Sequence, residues 1–256
     1  MTSFVYNLGR KAGHVFWKGH WWYKSLFGTE EEALQAEYIV GRQIDGEIYQ
    51  QYPQETNKNL QDFVNSIGFR LIAKLKDKKR LFHFRILSNI EFNAFALPGG
   101  FIYCTQALLE LCQMNQDEIA FVLAHEIAHV VKKHAFKRVL MNASLNILSN
   151  LGKTSSALGS ITKQTIQKML RSGYSQDQES EADRFAVQMM IVAGYNPNSS
   201  ICFLKKLKKN ESNEKSISFY LSSHPAFNDR IETIGEMIKR KTQSAYKIDK
   251  VKKTIH

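Results

Sequence analysis

Residues 115–131 read Asn-Gln-Asp-Glu-Ile-Ala-Phe-Val-Leu-Ala-His-Glu-Ile-Ala-His-Val-Val, and this stretch decides the fold. Asn115 is a suitable N-cap, and Glu118 follows three residues later, as in a capping box. At about 100° per residue, the apolar side chains between residues 119 and 131 spread round almost the whole helix. A helix that is apolar on every face is a buried one. We therefore predict a buried helix from Asn115 to about Arg138.

The middle of this helix carries three ionisable side chains, His125, Glu126 and His129. The two histidines are four residues apart, so both rings lie on one face and can bind a single ion. Glu126 is rotated by about 100° from His125, which places its carboxylate beside the ion, where it can accept a proton from water. Burying these groups without partners would be costly. A bound metal accounts for them better than three unrelated hydrogen bonds in a core.

A catalytic zinc site needs a third protein ligand, with one position left for water. The best candidate is Glu179 in the sequence Glu-Ser-Glu-Ala-Asp, within a helix predicted from about Gln176 to Ala193. Glu179 and Asp183 share a face, so Glu179 can bind the ion while Asp183 accepts the outer N–H of a ligand histidine. The alternative is a solvated acidic first turn, which the helix dipole favours.

Four motifs together resemble those of the HtpX/BepA-type zinc metallopeptidases, which are gluzincins related to the CAAX prenyl proteases. The motifs are NAFALPGGFIY (93–103), HEIAH (125–129), ESEAD (179–183) and SSHPAFNDR (222–230), in the family's order. The resemblance spans roughly residues 30–240. It implies an α+β, mostly helical, zincin-like metallopeptidase domain with a small β-sheet, whose edge strand borders the active-site cleft.

The resemblance also implies roles for individual residues. One zinc ion per chain would be bound by His125, His129 and Glu179, with Glu126 as the general base and Asp183 as the partner of a ligand. The implied activity is that of a zinc metalloendopeptidase that hydrolyses polypeptides, in protein quality control. A self-inhibited or chaperone-like peripheral membrane protein with the same fold is the alternative.

Two further side chains match the family near the metal. His224 matches a histidine that faces the metal, either as an extra, reversible ligand or as a contact of the oxyanion. Arg230 matches an arginine near the same site, where it would have a catalytic role by helping His224 to stabilise the oxyanion. Pro225 favours an extended backbone at His224, which predicts a loop there. The family's edge strand, to which a substrate is added as a further strand, matches Asn93, Ala94, Phe95 and Ala96. An ordinary hairpin is the alternative for this stretch.

Hydrophobic periodicity predicts the remaining elements. Helices are expected at about 30–51, 57–76, 199–209 and 228–240, two more within 136–172, and strands at about 82–86, 90–97 and 101–105. The segment 136–172 would cap the cleft. His134 would lie about 140° round the helix from His129, among lysines, so we predict that it is a surface residue.

Composition predicts the compartment and the partners. The net charge is +11, but no nucleic-acid motif accompanies it, so no nucleic-acid partner is expected. The three cysteines have no CxxC spacing, which predicts core thiols in a reducing, cytoplasmic compartment. We expect neither a signal peptide nor a transmembrane helix, because no stretch offers the ~20 apolar residues that spanning requires.

The amino-terminal residues 1–29 differ in composition from the rest. They hold all three tryptophans and several basic residues, with no acidic residue before Glu30. Aromatic and basic side chains together suit an anionic membrane surface, although an arm packed on the enzyme or on a second subunit is the alternative. We predict this arm, a metallopeptidase domain at 30–240 and a basic tail at 241–256.

Overall fold

The computed structural model describes residues 29–88, 91–142, 163–210, 220, 222–224 and 229–241. The predicted arm at 1–28, the middle of the segment 136–172 and most of the basic tail lie outside the described residues. The elements in chain order are α1 (Glu30–Gln51), α2 (Lys58–Ile72), β1 (His83–Leu87), β2 (Ala94–Leu97), a 3-10 turn (Pro98–Gly100), β3 (Phe101–Thr105), α3 (Gln106–Leu111), α4 (Gln116–Val131), α5 (His134–Asn142), α6 (Lys163–Arg171), α7 (Gln176–Ala193) and α8 (Ser199–Asn210). Residues 229–241 form a further helix, α9.

Helix α4 lies at the centre of the fold. Asn115 caps it through its side-chain oxygen, and every residue from Glu118 to Val130 is buried. The helix packs against α7 most extensively, and also against α2, α8 and β2. The prediction of a buried central helix is therefore confirmed.

The predicted extension of this helix to Arg138 is wrong. Helix α4 ends at Val131, and Lys133 has a φ of 59°. A left-handed residue cannot continue a right-handed helix. The chain therefore turns at Lys133, and α5 starts at His134 in a new direction.

The three strands of the described residues form one mixed sheet in the order β1-β3-β2. Strand β1 runs parallel to β3, and β2 runs antiparallel to it, with Ala96 opposite Ile102. Strand β2 is thus an edge strand, and the α+β, mostly helical fold class is confirmed. The strand begins at Ala94, later than predicted, because both main-chain groups of Asn93 bond to Thr105.

The tight turn that joins β2 to β3 packs against helix α1. Gly99 in the turn has a φ of 75°, in the left-handed region that favours glycine. The turn packs against α1 at Gly41, where a Cβ atom would lie only 1.8 Å from the Pro98 carbonyl oxygen. Helix α1 therefore fixes the end of the edge strand by close backbone contact.

Other sequence predictions differ from the structure in detail. Helix α2 ends at Ile72 rather than near residue 76, and α3 was not predicted; Thr105 caps α3 with its side chain. Cys104 and Cys112 are buried thiols as expected, but Cys202 is exposed. Among the described residues, no helix combines the length and the apolar character needed to cross a membrane.

Two glycines of α1 provide a matched test of the contact with the turn. We expect Gly41→Ala to lower the free energy of unfolding by about 3 kcal/mol, because the added methyl group collides with backbone. Gly46 lies in the same helix, and a methyl group added there would have no atom within 4 Å. Gly46→Ala should therefore raise the free energy of unfolding by about 0.5–1 kcal/mol. Urea denaturation of both variants measures this, and equal effects would contradict the packing described.

Candidate active site

Two histidines of α4 and one glutamate of α7 converge at a buried point. His125 Nε2 lies 3.0 Å from His129 Nε2 and 3.5 Å from Glu179 Oε2. His129 Nε2 lies 3.2 Å from Glu179 Oε1. All three side chains are at most 1% exposed. The packing of α4 on α7 thus brings together the three residues that the sequence analysis assigned to a metal.

A fourth side chain, His224, completes the cluster. Its Nδ1 atom lies 3.3 Å from His125 Nε2 and 3.0 Å from Glu179 Oε1. Each of His125, His129, Glu179 and His224 offers one donor atom, and these four atoms all lie within 4.8 Å of one another. Four ligand atoms at about 2.1 Å from a tetrahedral ion are separated by about 3.4 Å. The separations of 3.0–3.5 Å given above for these atoms are close to that value.

Glu126 lies beside the cluster with both carboxylate oxygens buried. Neither oxygen has a hydrogen-bond partner in the described part of the chain, and neither does Nε2 of His224. His224 Nε2 is 3.5 Å from Glu126 Oε1. Buried polar atoms in folded proteins are nearly always satisfied. A metal ion and a water molecule would supply the missing partners, so the residues fit a metal centre.

Asp183 and Arg230 surround the cluster on the side of α7. Asp183 Oδ1 lies 2.9 Å from Nδ1 of His125, the ring nitrogen that points away from the cluster. Arg230 donates from Nε and Nη2 to Asp183 at 2.7 and 2.8 Å, and its Nη1 lies 2.9 Å from Glu179 Oε2. The guanidinium therefore links the two carboxylates of α7. Its Nε and Nη2 face Asp183, and its Nη1 faces Glu179.

Burial and charge set the protonation states of the cluster. Burial lowers the pKa of His129 well below its usual range. Burial has the same effect on His125, but Glu179 and Asp183 outweigh it and raise the pKa of His125 to about 9. Burial would raise the pKa of Glu179, but His224 and Arg230 hold it well below the usual range. Glu179 is thus a carboxylate and His129 a neutral imidazole at neutral pH, the forms that bind metals, whereas a metal must displace a proton from His125.

The prediction that His134 is a surface residue is wrong. The side chain is buried, with Nδ1 at 3.1 Å from Nδ1 of His129 and Nε2 at 3.2 Å from Glu181 Oε2. The expected angle assumed one continuous helix, whereas the turn at Lys133 folds His134 back towards His129. A residue count along a helix could not reveal this contact.

Two tyrosines next to the cluster were not predicted from the sequence. The ring of Tyr174 stacks on His129 with 3.6 Å between centroids, and Tyr220 stacks on His224 at 4.7 Å. Neither tyrosine lies within one of the four motifs that define the resemblance. Their positions depend on long-range packing, which no local spacing reports.

Known proteins are similar in sequence to most of this chain. A sequence model of peptidase family M48 matches residues 55–238. The beta-barrel assembly-enhancing protease of Escherichia coli O157:H7 is 32% identical over 196 residues, which is 72% of this chain and 39% of that protein. The mitochondrial metalloendopeptidase OMA1 of Schizosaccharomyces pombe is 26% identical over 190 residues, 72% of this chain and 56% of that protein. Metalloprotease LoiP of Escherichia coli K12 is 26% identical over 159 residues, 60% of this chain and 62% of that protein. The chain therefore spans less than two thirds of the length of these relatives.

The role of Glu179 in metal binding can be tested against a neighbour in α7. Glu179→Gln should weaken the binding of Co²⁺ by about a hundredfold or more, because it removes the one anionic donor of the cluster. Asp177→Asn removes the same charge from an exposed position of the same helix and should leave the affinity unchanged. Titration followed by the visible absorption of bound Co²⁺ measures both affinities. Undiminished binding by the Glu179 variant would exclude this carboxylate as a ligand.

Proposed function

The chain belongs to peptidase family M48, and on that basis we propose that it is a zinc-dependent endopeptidase that hydrolyses polypeptides. The observation that carries this proposal is the set of four buried donor atoms that lie within 4.8 Å of one another. Beside them lies the Glu126 carboxylate, which has no hydrogen-bond partner among the described residues. Imidazole and carboxylate donors in a four-coordinate arrangement suit zinc. We assign His125, His129 and Glu179 as its ligands.

Three other residues of the chain have separate roles in the proposed hydrolysis. Zinc bound by these ligands would act as a Lewis acid towards water and the scissile carbonyl. Glu126 accepts a proton from the attacking water and delivers it to the leaving amine, since no described residue competes for its oxygens by hydrogen bonding. Asp183 holds the His125 ring through Nδ1, which leaves Nε2 for the metal. Arg230 positions Glu179 and Asp183 by pairing with both.

Glu126→Gln tests the general base. We expect kcat for casein cleavage to fall by at least about 10³-fold, while zinc remains bound, because an amide cannot accept the proton. The matched control is Glu118→Gln, which removes a carboxylate from the same helix where it pairs with Lys206 at 2.9 Å. The control should keep its activity. Normal activity of the Glu126 variant would remove this residue from the mechanism.

A second candidate state is self-inhibition by His224. With His224 in the cluster, four protein atoms could bind one ion, and a four-coordinate zinc held by all four would have no position left for water. Hydrolysis then requires His224 to move away, after which its imidazole can act on the oxyanion of the reacting peptide. This geometry also supports the alternative in which the protein hydrolyses little and acts chiefly as a binding protein.

His224→Ala separates these roles. If His224 only blocks the fourth position, the variant should cleave casein several times faster than the wild type while binding zinc less tightly. If His224 also stabilises the oxyanion, kcat should fall by about a hundredfold. Zinc content by atomic absorption is the control, since loss of the metal alone would also reduce cleavage. No change in either rate or affinity would remove His224 from both roles.

As part of this proposal, we infer the cellular role of the protein from the names of its relatives. One relative is named a beta-barrel assembly-enhancing protease and another a mitochondrial metalloendopeptidase, which supports a role in protein quality control with polypeptides as substrates. The unpaired state of all three cysteines supports a reducing, cytoplasmic compartment. Binding of the arm at 1–29 to an anionic membrane remains a prediction, since residues 1–28 lie outside the described part of the chain.

A further inference from the structure

Arg138 on α5 is a buried cation that pairs with no carboxylate of the described residues. The residue is 4% exposed, and its Nε and Nη1 atoms have no hydrogen-bond partner in that part of the chain. Two other largely buried guanidinium groups do pair with carboxylates, Arg80 with Glu37 and Arg230 with Asp183. Burying a charge without a counter-charge is strongly unfavourable. The two free sides of the Arg138 guanidinium therefore point to a missing anionic partner.

The hydrogen bond that this guanidinium makes lies on the open side of the edge strand. Nη2 of Arg138 donates to the carbonyl oxygen of Ala96 at 2.9 Å. Main-chain groups of an antiparallel strand point alternately towards and away from the neighbouring strand. Thr105 N–H bonds the Asn93 carbonyl across β2 and β3, so the groups of Ala94 and Ala96 face away from β3. Arg138 thus occupies the side on which a substrate strand would pair.

The same guanidinium is also linked to the candidate metal centre. Its Cζ atom lies 4.4 Å from the centre of the Tyr174 ring. The Tyr174 ring in turn stacks on His129, a candidate metal ligand, at 3.6 Å. The Arg138 guanidinium is therefore separated from a candidate metal ligand by a single aromatic ring.

The surrounding sequence favours a negatively charged ligand. No Asp or Glu occurs between Glu126 and Asp177. The same stretch contains these basic residues: Lys132, Lys133, Lys137, Arg138, Lys153, Lys163, Lys168 and Arg171. Such a one-signed stretch raises the local concentration of acidic peptides. It also offers Arg138 no acidic neighbour in sequence with which to pair.

From these contacts we infer that Arg138 is a specificity-determining residue that binds a carboxylate of the substrate close to the scissile bond. The inference rests on the proposed peptidase function. A peptide that pairs antiparallel with β2 continues beyond Ala96 towards its own amino terminus, so the carboxylate there belongs to an Asp or Glu side chain. A carboxy-terminal carboxylate reaches Arg138 only from a peptide that runs parallel to β2. A guanidinium suits either, because its planar N–H groups match the two oxygens of a carboxylate.

The test uses peptides built around a bond that the wild-type enzyme cleaves in casein. In one series each flanking residue is replaced in turn by Glu or Gln, and in another the carboxy terminus is a free acid or an amide. We expect the wild type to prefer Glu over Gln at one position by about ten- to a hundredfold in kcat/KM, the range for a hydrogen bond between charged groups. In Arg138→Gln that ratio should fall to near one, whatever the absolute rate at which the variant cleaves the Gln peptide.

Two further variants test whether the loss of a positive charge alone, or a loss of stability, explains the changed preference. Lys137→Gln removes the same charge from the adjacent, exposed position of α5 and should keep the full preference. Arg138→Lys keeps the charge but loses the planar fork, so an intermediate ratio is expected even if the Gln variant is unstable.

Each outcome bears on a different claim. A preference for the free acid over the amide, with none for Glu, would assign the subsite to a carboxy-terminal carboxylate and still depend on Arg138. Efficient cleavage by the wild type without any carboxylate preference, or a preference that survives in Arg138→Gln, would overturn the inference while leaving the peptidase proposal intact. Failure of the zinc-loaded wild type to cleave any peptide would instead count against the proposed function.

Discussion

The buried carboxylate of Glu179 is the group on which the rest of the site depends. A carboxylate in a protein interior is costly unless opposite charges or donors surround it. Here His125 and His129 approach from α4, and His224 and Arg230 approach from the carboxy-terminal part of the chain. One anion therefore draws three separate parts of the sequence to a single point, and the packing of α4 on α7 holds it there.

The central helix shows how a stable core and a reactive site share one element. Its apolar side chains fill the core, while His125, Glu126 and His129 form a polar strip that no neighbouring apolar group can satisfy. Natural sequences break a local rule of folding mainly where function requires it. The conflict between an apolar helix and its three ionisable groups is the feature that separates this helix from an ordinary core helix.

The edge strand and α5 extend the site away from the metal-binding cluster. Strand β2 leaves the main-chain groups of Ala94 and Ala96 directed away from its neighbour, and Arg138 reaches one of them. Tyr174 contacts both residues, with its ring stacked on His129 and the Arg138 guanidinium carbon 4.4 Å from its centre. The proposed subsite at Arg138 and the candidate metal centre are thus connected through a single aromatic ring.

The sequence by itself determined the features that depend on local spacing. Within one helix, the separation of His125 from His129 fixes their geometry, and Thr29 with Glu32 begins α1 where the sequence predicted it. The pairing of Glu179 with HEIAH came from a combination of motifs rather than from spacing, and the structure brings these residues together. Only the tertiary structure decided the turn at Lys133, because a left-handed residue there is held by its surroundings and not by its own preference. That turn buries His134 and aims Arg138 at the edge strand, contacts between residues whose proximity no periodicity along the chain can encode.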